Sequence, residues 1–291
     1  MDLNLLTTFH ELIDAGSVAA AARRLGRSQP AISTRLRQLE QALGTPVLEK
    51  VGRRLQPTPL GRAVHREVAH MMTSARRIMD LARTVGDAPA GRLRIGALPT
   101  VGVHLLAPKI GQLLASPQLE IELTYGLNDA LLSDLLRGSL DVVVTVGDRP
   151  ASTELDVTTI GVVRPVLASR RDLELPKRAT AAMIREHTFL GFGRIGDPFF
   201  DAIDRFTTRE GLSPRVLVSH IDTLKTLATE GVGVAILPDY TVREEPRLRS
   251  SEIAELDVAH DLWIAARQSS RELTALRHLA KAMTPSYGSS A

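Results

Sequence analysis

The side chains best suited to chemistry in this 291-residue chain lie together near its amino end: Ser28, Gln29, Pro30, Ser33, Thr34, Arg35 and Arg37. Placed on a helix, they share one side with Ala31 and Gln38. Ile32, Leu36, Leu39 and Leu43 recur on the other side at intervals of four, three and four. The polar side is rich in hydrogen-bonding groups and nearly free of acid, Glu40 lying further along. A glutamine amide matches the edge of adenine and an arginine fork matches guanine, in a major groove wide enough for one helix. These residues therefore suit the reading of duplex DNA. An ordinary helical hairpin with a solvated polar face is the competing interpretation.

The neighbouring stretches have the composition needed to hold such a helix. Ser28 is a good N-cap, Pro30 fits the first turn where no N–H is required, and Gly44 closes the helix. Before it, Ser17 caps a short helix whose Val18, Ala21, Ala22 and Leu25 fall on one face, the alanines permitting close approach, and Gly26 ends it. A first helix over 3–15 places Leu5, Leu6, Phe9, Leu12 and Ile13 beneath the pair, and Gly16 stops it. His10 reads as a surface or satisfied histidine. Together these are a helix-turn-helix. After Gly44, Val47, Leu48 and Val51 favour a strand, Gly52, Arg53 and Arg54 a basic turn, and Leu55 and Gln56 a returning strand. As a wing, this hairpin brings Arg53 and Arg54 to a minor groove, whose negative potential attracts arginine. It can equally be read as a solvated basic hairpin.

Pro59 opens a long helix to about residue 85. Val68, Met71, Ala75, Ile78, Ala82 and Val85 repeat at alternating threes and fours, the seam of a coiled coil. About 26 residues span roughly 39 Å, too far to be hidden by a small head, so a second copy of the chain is the expected partner. A monomeric connector is the alternative. Residues 87–91, with Pro89 and Gly91, form a hinge. Beyond it, strands expected at 92–97, 120–125, 142–146, 156–163, 166–169, 189–192, 215–218, 234–237 and 262–266 alternate with helices at 100–114, 129–137, 198–210, 221–230 and 271–283. This predicts a mostly parallel sheet architecture in two lobes. The expected fold is thus α/β and multi-domain: a winged helix-turn-helix over 1–58, a dimerising linker helix over 59–86, and an effector domain over 87–291. Lobe I is expected at about 91–161 and 267–291, lobe II at about 162–266.

Charge supports this division. Residues 1–86 carry 13 Lys and Arg against 7 Asp and Glu, whereas 87–291 carry 23 against 26, so the polyanion-binding surface belongs to the front. Only 3% of residues are aromatic, which argues against a base-stacking single-strand binder. There is no cysteine, hence no disulfide framework or thiolate-bound metal. The eight histidines show no metal-ligand spacing, and neither a catalytic elbow nor a phosphate-binding glycine loop is present, GVGVAILP reading as a turn into a buried strand. No catalytic residue, cofactor or metal is expected. The start of the chain has neither a basic leader nor an uninterrupted apolar span, so no membrane association and a cytoplasmic, nucleoid-associated location are expected.

The run from Phe9 through Lys50, followed by LQPTPLG, closely resembles the LysR-type transcriptional regulators of bacteria. Phe9, Ala21, Ala22, Leu25, Gln29-Pro30, Ser33, Leu39-Glu40 and Leu43-Gly44 carry the resemblance. GRLRIG at 91–96, GSLDVVV at 138–144 and GVGVAILP at 231–238 extend it less specifically. Thr34 departs from it, many members having a longer polar or basic side chain there. The resemblance implies a winged helix-turn-helix, a dimerising linker and a two-lobed domain like periplasmic binding proteins. It also implies tetramers built as dimers of dimers, with a small metabolite in the lobe cleft controlling activation or repression of promoters. Partners would be promoter DNA, further copies of the chain and RNA polymerase. A nucleoid-organising protein without a specific effector is the alternative.

Ligands in open α/β sheets bind beyond the carboxyl ends of strands. That rule selects Thr100 and Val101, Asn128 and Val146 in lobe I, and Arg194, Phe199, His220 and Thr223 in lobe II. The family resemblance adds that a Ser or Thr at the position of Thr100 often contacts the ligand. Helix-end amides and Thr100 suit a carboxylate, so a small organic acid is expected, with Arg194 or His220 assisting. Arg194 as a plain loop charge and His220 as a helix cap remain alternatives.

Overall fold

The computed structural model describes residues 2–51, 54–83, 91–193, 198–270 and 274–283. The chain divides into two compact units, the first ending at Arg83, with Arg137–Ser139 grouped with it.

The first unit begins with α1 (Leu3–Ala15), α2 (Val18–Arg24) and α3 (Gln29–Leu43). Their ends form where the side chains dictate. The Ser17 and Ser28 hydroxyls accept from the amides of Ala20 and Ala31 at 3.2 and 3.4 Å, relieving donors that have no partner inside the helix. Gly16 and Gly44 both adopt φ of 69°, a conformation costly for other residues. Phe9, Leu12, Ala21, Leu39, Val47 and Leu48 form the buried core. Ala21 is fully covered where the helices pack. Strands β1 (Leu48–Val51) and β2 (Arg54–Pro57) pair antiparallel, as expected for the wing; Gly52 and Arg53, at its tip, lie outside the described residues. Helix α4 (Pro59–Arg83) follows. Its start is capped by the Thr58 hydroxyl, which accepts from the Gly61 amide at 3.0 Å. A Cβ on Gly61 would fall 2.0 Å from the Val47 carbonyl oxygen, so only glycine lets α4 begin against the wing. The end of the expected helix and most of the hinge, residues 84–90, lie outside the described residues.

In the second unit, β3 (Gly91–Ala97) leads to α5 (Pro99–Val101), a π turn (Gly102–Leu106) and α6 (Ala107–Leu113). The single helix expected there is interrupted because Pro108 has no N–H to continue the ladder. Next come β4 (Leu119–Tyr125), α7 (Asn128–Arg137), β5 (Val142–Val146), β6 (Leu155–Val163) and β7 (Pro165–Arg170). They are followed by β8 (Arg178–Ala179), α8 (Ala181–Arg185), β9 (Phe189–Phe192), α9 (Pro198–Arg209) and β10 (Val216–Val218). The chain continues through α10 (Ile221–Thr229), β11 (Val234–Pro238), α11 (Asp239–Val242), β12 (Leu248–Ile253), β13 (His260–Arg267) and α12 (Thr274–Met283).

Two sheets result. Lobe I has the order β4-β3-β5-β13-β6 and lobe II the order β10-β9-β11-β7-β12-β8. The three strands β4, β3 and β5 are parallel, as are β10, β9 and β11. The expectation of mostly parallel sheets holds with one reversed strand in each: β13 runs antiparallel to both β5 and β6, and β7 antiparallel to β11 and β12. In each sheet the reversed strand is the one by which the chain arrives from the other lobe, β7 after β6 and β13 after β12, whereas β6 and β12 run with the parallel set. The lobe boundary also moves. Residues 260–266 belong to lobe I, because β13 pairs with β5 and β6 from His260 onward.

One buried ion cluster fixes lobe I. The Asp141 carboxylate accepts from the Arg94 amide at 2.9 Å and lies 3.4 Å from the Arg94 guanidinium and 3.8 Å from that of Arg267. The aspartate of GSLDVVV thus ties β3, the start of β5 and the end of β13, and its burial is tolerable because cations face it. The Trp263 indole donates to the Gly147 carbonyl at 3.0 Å, fixing the loop after β5.

Candidate nucleic-acid interface and effector cleft

On α3, Ser28, Gln29, Pro30, Thr34, Arg37 and Gln38 are exposed, and Ser33 is half-buried. Opposite them, Ile32 and Leu39 are fully buried, so the helix is braced from behind as its period requires. Ser28 spends its hydroxyl on the helix cap. The Arg37 guanidinium donates to the Ser33 carbonyl at 3.3 Å and to the Thr34 hydroxyl at 3.5 Å, lying along the exposed face. Arg35 needs correction. It is half-buried and donates to the Thr8 hydroxyl on α1 at 3.2 Å, so it does not share the open side with Gln29. Its position between Ile32 and Leu39 on the helix turns it toward the flank of the core.

Sequence reading also missed a support. The Glu40 carboxylate accepts from the amides of Val47 and Leu48 at 3.0 and 3.4 Å, fixing the start of the wing to α3. Its place in the Leu39-Glu40 pair was the available signal. Arg53 lies outside the described residues, and the side chain of Arg54 is likewise not described, only its place at the start of β2.

In the second unit, Thr100 is only 9% exposed and its hydroxyl accepts from the Tyr240 hydroxyl at 2.9 Å. Thr100 follows β3 in lobe I, while Tyr240 follows β11 in lobe II. One helical turn beyond Thr100, the His104 ring approaches the Asp222 carboxylate at 2.9 Å. Asp222 stands in the first turn of α10, between His220 and Thr223. The two lobes are therefore joined where the β3 and β11 carboxyl ends meet, which is where the strand-end rule puts a ligand. A cavity of about 110 Å³ adjoins this junction, bordered by His104, Lys109, Tyr240 and Arg243. It is well below the roughly 300 Å³ at which small-molecule sites begin.

The remaining candidates divide. Asn128 and Val146 do meet, but through structure: the Asn128 amide donates to the Val146 carbonyl at 2.9 Å and accepts from the Thr145 hydroxyl. That pair locks α7 to the end of β5. Val101 and Val146 are buried in the core. Phe199 is buried against Phe200 and the His260 ring, at centroid distances of 5.1 and 5.7 Å. Burial pushes the His260 imidazole below its ordinary value of 6.5, with Asp148 opposing and Arg205 adding to the shift. His220 and Thr223 are exposed, and His220 occupies the N-cap of α10 without a side-chain capping bond. Arg194 lies outside the described residues. Asp222 lies within the 220–223 segment that the strand-end rule selects, whereas Tyr240 and His104 are not singled out by the sequence. The carboxyl end of the GVGVAILP strand satisfies the same rule that selected Thr100, and would have pointed to Tyr240.

A groove-sized basic helix in a winged head, together with a two-lobed α/β domain closed across strand ends, fits a DNA-binding protein with a ligand-binding domain. Comparison with known proteins makes the class specific. The model for the bacterial regulatory helix-turn-helix protein, lysR family, matches residues 3–62, and that for the LysR substrate binding domain matches residues 86–286. The chain belongs to the LysR family and is a DNA-binding transcriptional regulator with an effector-binding domain, not an enzyme. It is 27% identical to the small neutral protease regulatory protein of Streptomyces lividans, over 92% of this chain and 85% of that protein. It is also 27% identical to the transcriptional regulator ClcR of Pseudomonas putida, over 82% and 83%. Among solved structures, a full-length OxyR variant from Pseudomonas aeruginosa superposes with a TM-score of 0.73 at 21% identity, covering 98% of both chains. The LysR family regulator CbnR superposes at 0.66 and 23% identity over 99% of this chain and all of that one, and it has also been solved with its target DNA. No helix among the described residues is long and apolar enough to cross a membrane.

Proposed function

We propose that this regulator binds a small organic acid between its lobes, and that binding changes how its DNA-reading heads are presented. The observation that carries the reading is the Tyr240–Thr100 hydrogen bond. It supports the reading because the Thr100 hydroxyl lies at the junction of the lobes, engaged by a group from the opposite side. A carboxylate entering there exchanges the tyrosine for itself at Thr100, aided by Arg194, His220 and helix-end amides. The exchange alters the balance between two lobe arrangements only to the extent that the ligand prefers one of them.

DNA reading is assigned to Gln29, Ser33, Thr34 and Arg37, with Pro30 and the Ser28 cap shaping the entry of α3 and Arg53 and Arg54 on the wing. Arg35, held against α1 by Thr8, is left out of this assignment. The linker helix α4 pairs with a second copy, and dimers pair again into tetramers. In support, Ile78 on the seam is 66% exposed, an apolar side chain that a partner helix would cover. RNA polymerase is the further partner at promoters. The working location is the cytoplasm, on the nucleoid.

Two measurements test the scheme. Binding to promoter fragments and to random DNA, compared at one stated salt concentration, must differ by at least roughly a thousandfold, as for specific regulators; equal binding would favour a nucleoid-organising role. Genome-wide mapping of bound sites would then supply candidate metabolites from the adjacent genes. If Thr100→Val and Arg194→Ala both leave the response to the true effector intact, the ligand sits elsewhere.

A further inference from the structure

Outside both sites, the first unit gathers three metal-ligating side chains that chain spacing does not reveal. His10 and Asp14 stand one turn apart on α1. His65 comes from α4, 51 residues beyond Asp14. The His65 Nε2 lies 3.0 Å from one Asp14 carboxylate oxygen, and the His10 Nε2 lies 3.4 Å from the other. The two imidazoles stack with centroids 4.6 Å apart and planes 25° from parallel. One ligand atom from each residue lies within 4.8 Å of the other two.

We propose that His10, Asp14 and His65 form a binding site for a divalent transition ion of the Zn²⁺, Co²⁺ or Ni²⁺ type. Two imidazole nitrogens and one carboxylate oxygen match the preferences of these ions and not those of Mg²⁺ or Ca²⁺, which take oxygen donors. Bonds of about 2.0–2.1 Å in a tetrahedron set ligand atoms about 3.4 Å apart. The two histidine–carboxylate separations, 3.0 and 3.4 Å, are near that length, each to a different Asp14 oxygen, so one oxygen has to turn between the rings to serve as the ligand. One ligand atom from each residue already lies within 4.8 Å of the others, so reaching tetrahedral spacing asks any pair to approach by no more than about 1.4 Å. Both histidines are largely covered, which limits their freedom, whereas the Asp14 side chain is 44% exposed and leaves an outer position for water.

Without an ion, each histidine directs Nε2 at the same carboxylate. With an ion, both rings adopt the tautomer protonated at Nδ1 and their Nε2 lone pairs turn to the metal. The ion would clamp the first helix of the DNA-binding head to the linker helix, both of which belong to the first unit. It would thereby set the angle at which the linker leaves the head. This departs from the sequence expectation of no metal, which tested spacing along the chain alone.

The test uses the untagged full-length protein, stripped with chelator and titrated with Co²⁺. One equivalent per chain should bind with the visible ligand-field bands of a low-coordinate site, and Zn²⁺ should displace it. Asp14→Asn and His65→Gln should each lower the Co²⁺ affinity at least tenfold, while circular dichroism and DNA binding in chelator stay as in the parent. Absence of the bands, or parental affinity in both variants, overturns the proposal. Should a variant fail to fold, the parent decides the matter. Zn²⁺ must protect His10 and His65 from imidazole-directed acylation, read by mass spectrometry, and unchanged labelling of both overturns it.

Discussion

Replacing Tyr240 by Phe removes one oxygen from the place where the lobes meet. The ring is buried and keeps its packing, so the change isolates the hydrogen bond to Thr100. A hydrogen bond of this kind contributes about 0.5–1.5 kcal/mol net. A value near 1.4 kcal/mol is a tenfold change in an equilibrium. The balance between joined and parted lobes should therefore shift about two- to tenfold toward parted. Amide hydrogen exchange reads this directly. Exchange should rise by that factor over Pro99–Leu106 and Asp239–Val242, while Val142–Val146 in the central strand stays protected. A double-mutant cycle with Thr100→Val sharpens the test, since it extracts the coupling between the two hydroxyls from whatever else each substitution disturbs. The coupling energy should be about 0.5–1.5 kcal/mol. Strictly additive effects, or faster exchange spread evenly over both lobes, would refute the claim that this pair holds the junction.

Other consequences can be checked separately. Gln29→Ala should relax sequence preference by about 1–3 kcal/mol at one base pair, measured with single-substitution operator sets; a uniform loss over all sequences would contradict base reading. Arg53→Ala should weaken binding to every sequence and lower the slope of log affinity against log salt by about one. Glu40→Ala leaves the Val47 and Leu48 amides without their acceptor and should destabilise the head by about 1–3 kcal/mol in chemical denaturation. Because burial lowers the His260 pKa in the folded chain, the unfolded chain binds more protons near and below pH 6.5. Stability should thus be fully present above that pH and decline as pH falls toward the folded pKa, and His260→Gln should flatten this dependence.

Much of the head was legible from residue order because local rules govern it. Serine before a helix, glycine after it and leucines at helical spacing act within a few residues, so α1, α2, α3 and the wing lie where these signals place them. The buried strand at 142–146 is equally plain, since a run of valines covered on both faces needs no partner to be recognised. Strands of mixed composition were harder. LRSSEI forms β12 with Ser251 fully buried, and nothing in its pattern separates it from a loop.

Contacts between distant parts of the chain were settled only by folding. Arg35 finds its partner in Thr8, 27 residues earlier, which helix period alone does not reveal. The assignment of β13 to lobe I depends on β5 and β6. Thr100 was visible as a helix-start hydroxyl, but its partner is 140 residues away. His10, Asp14 and His65 become one cluster only because α4 packs on α1. Sequence determined which side chains were available and which short segments would form, since those follow from backbone preference and burial period. Tertiary structure decided which of them meet, because side-chain chemistry acts over a few ångströms and chain order does not encode that distance.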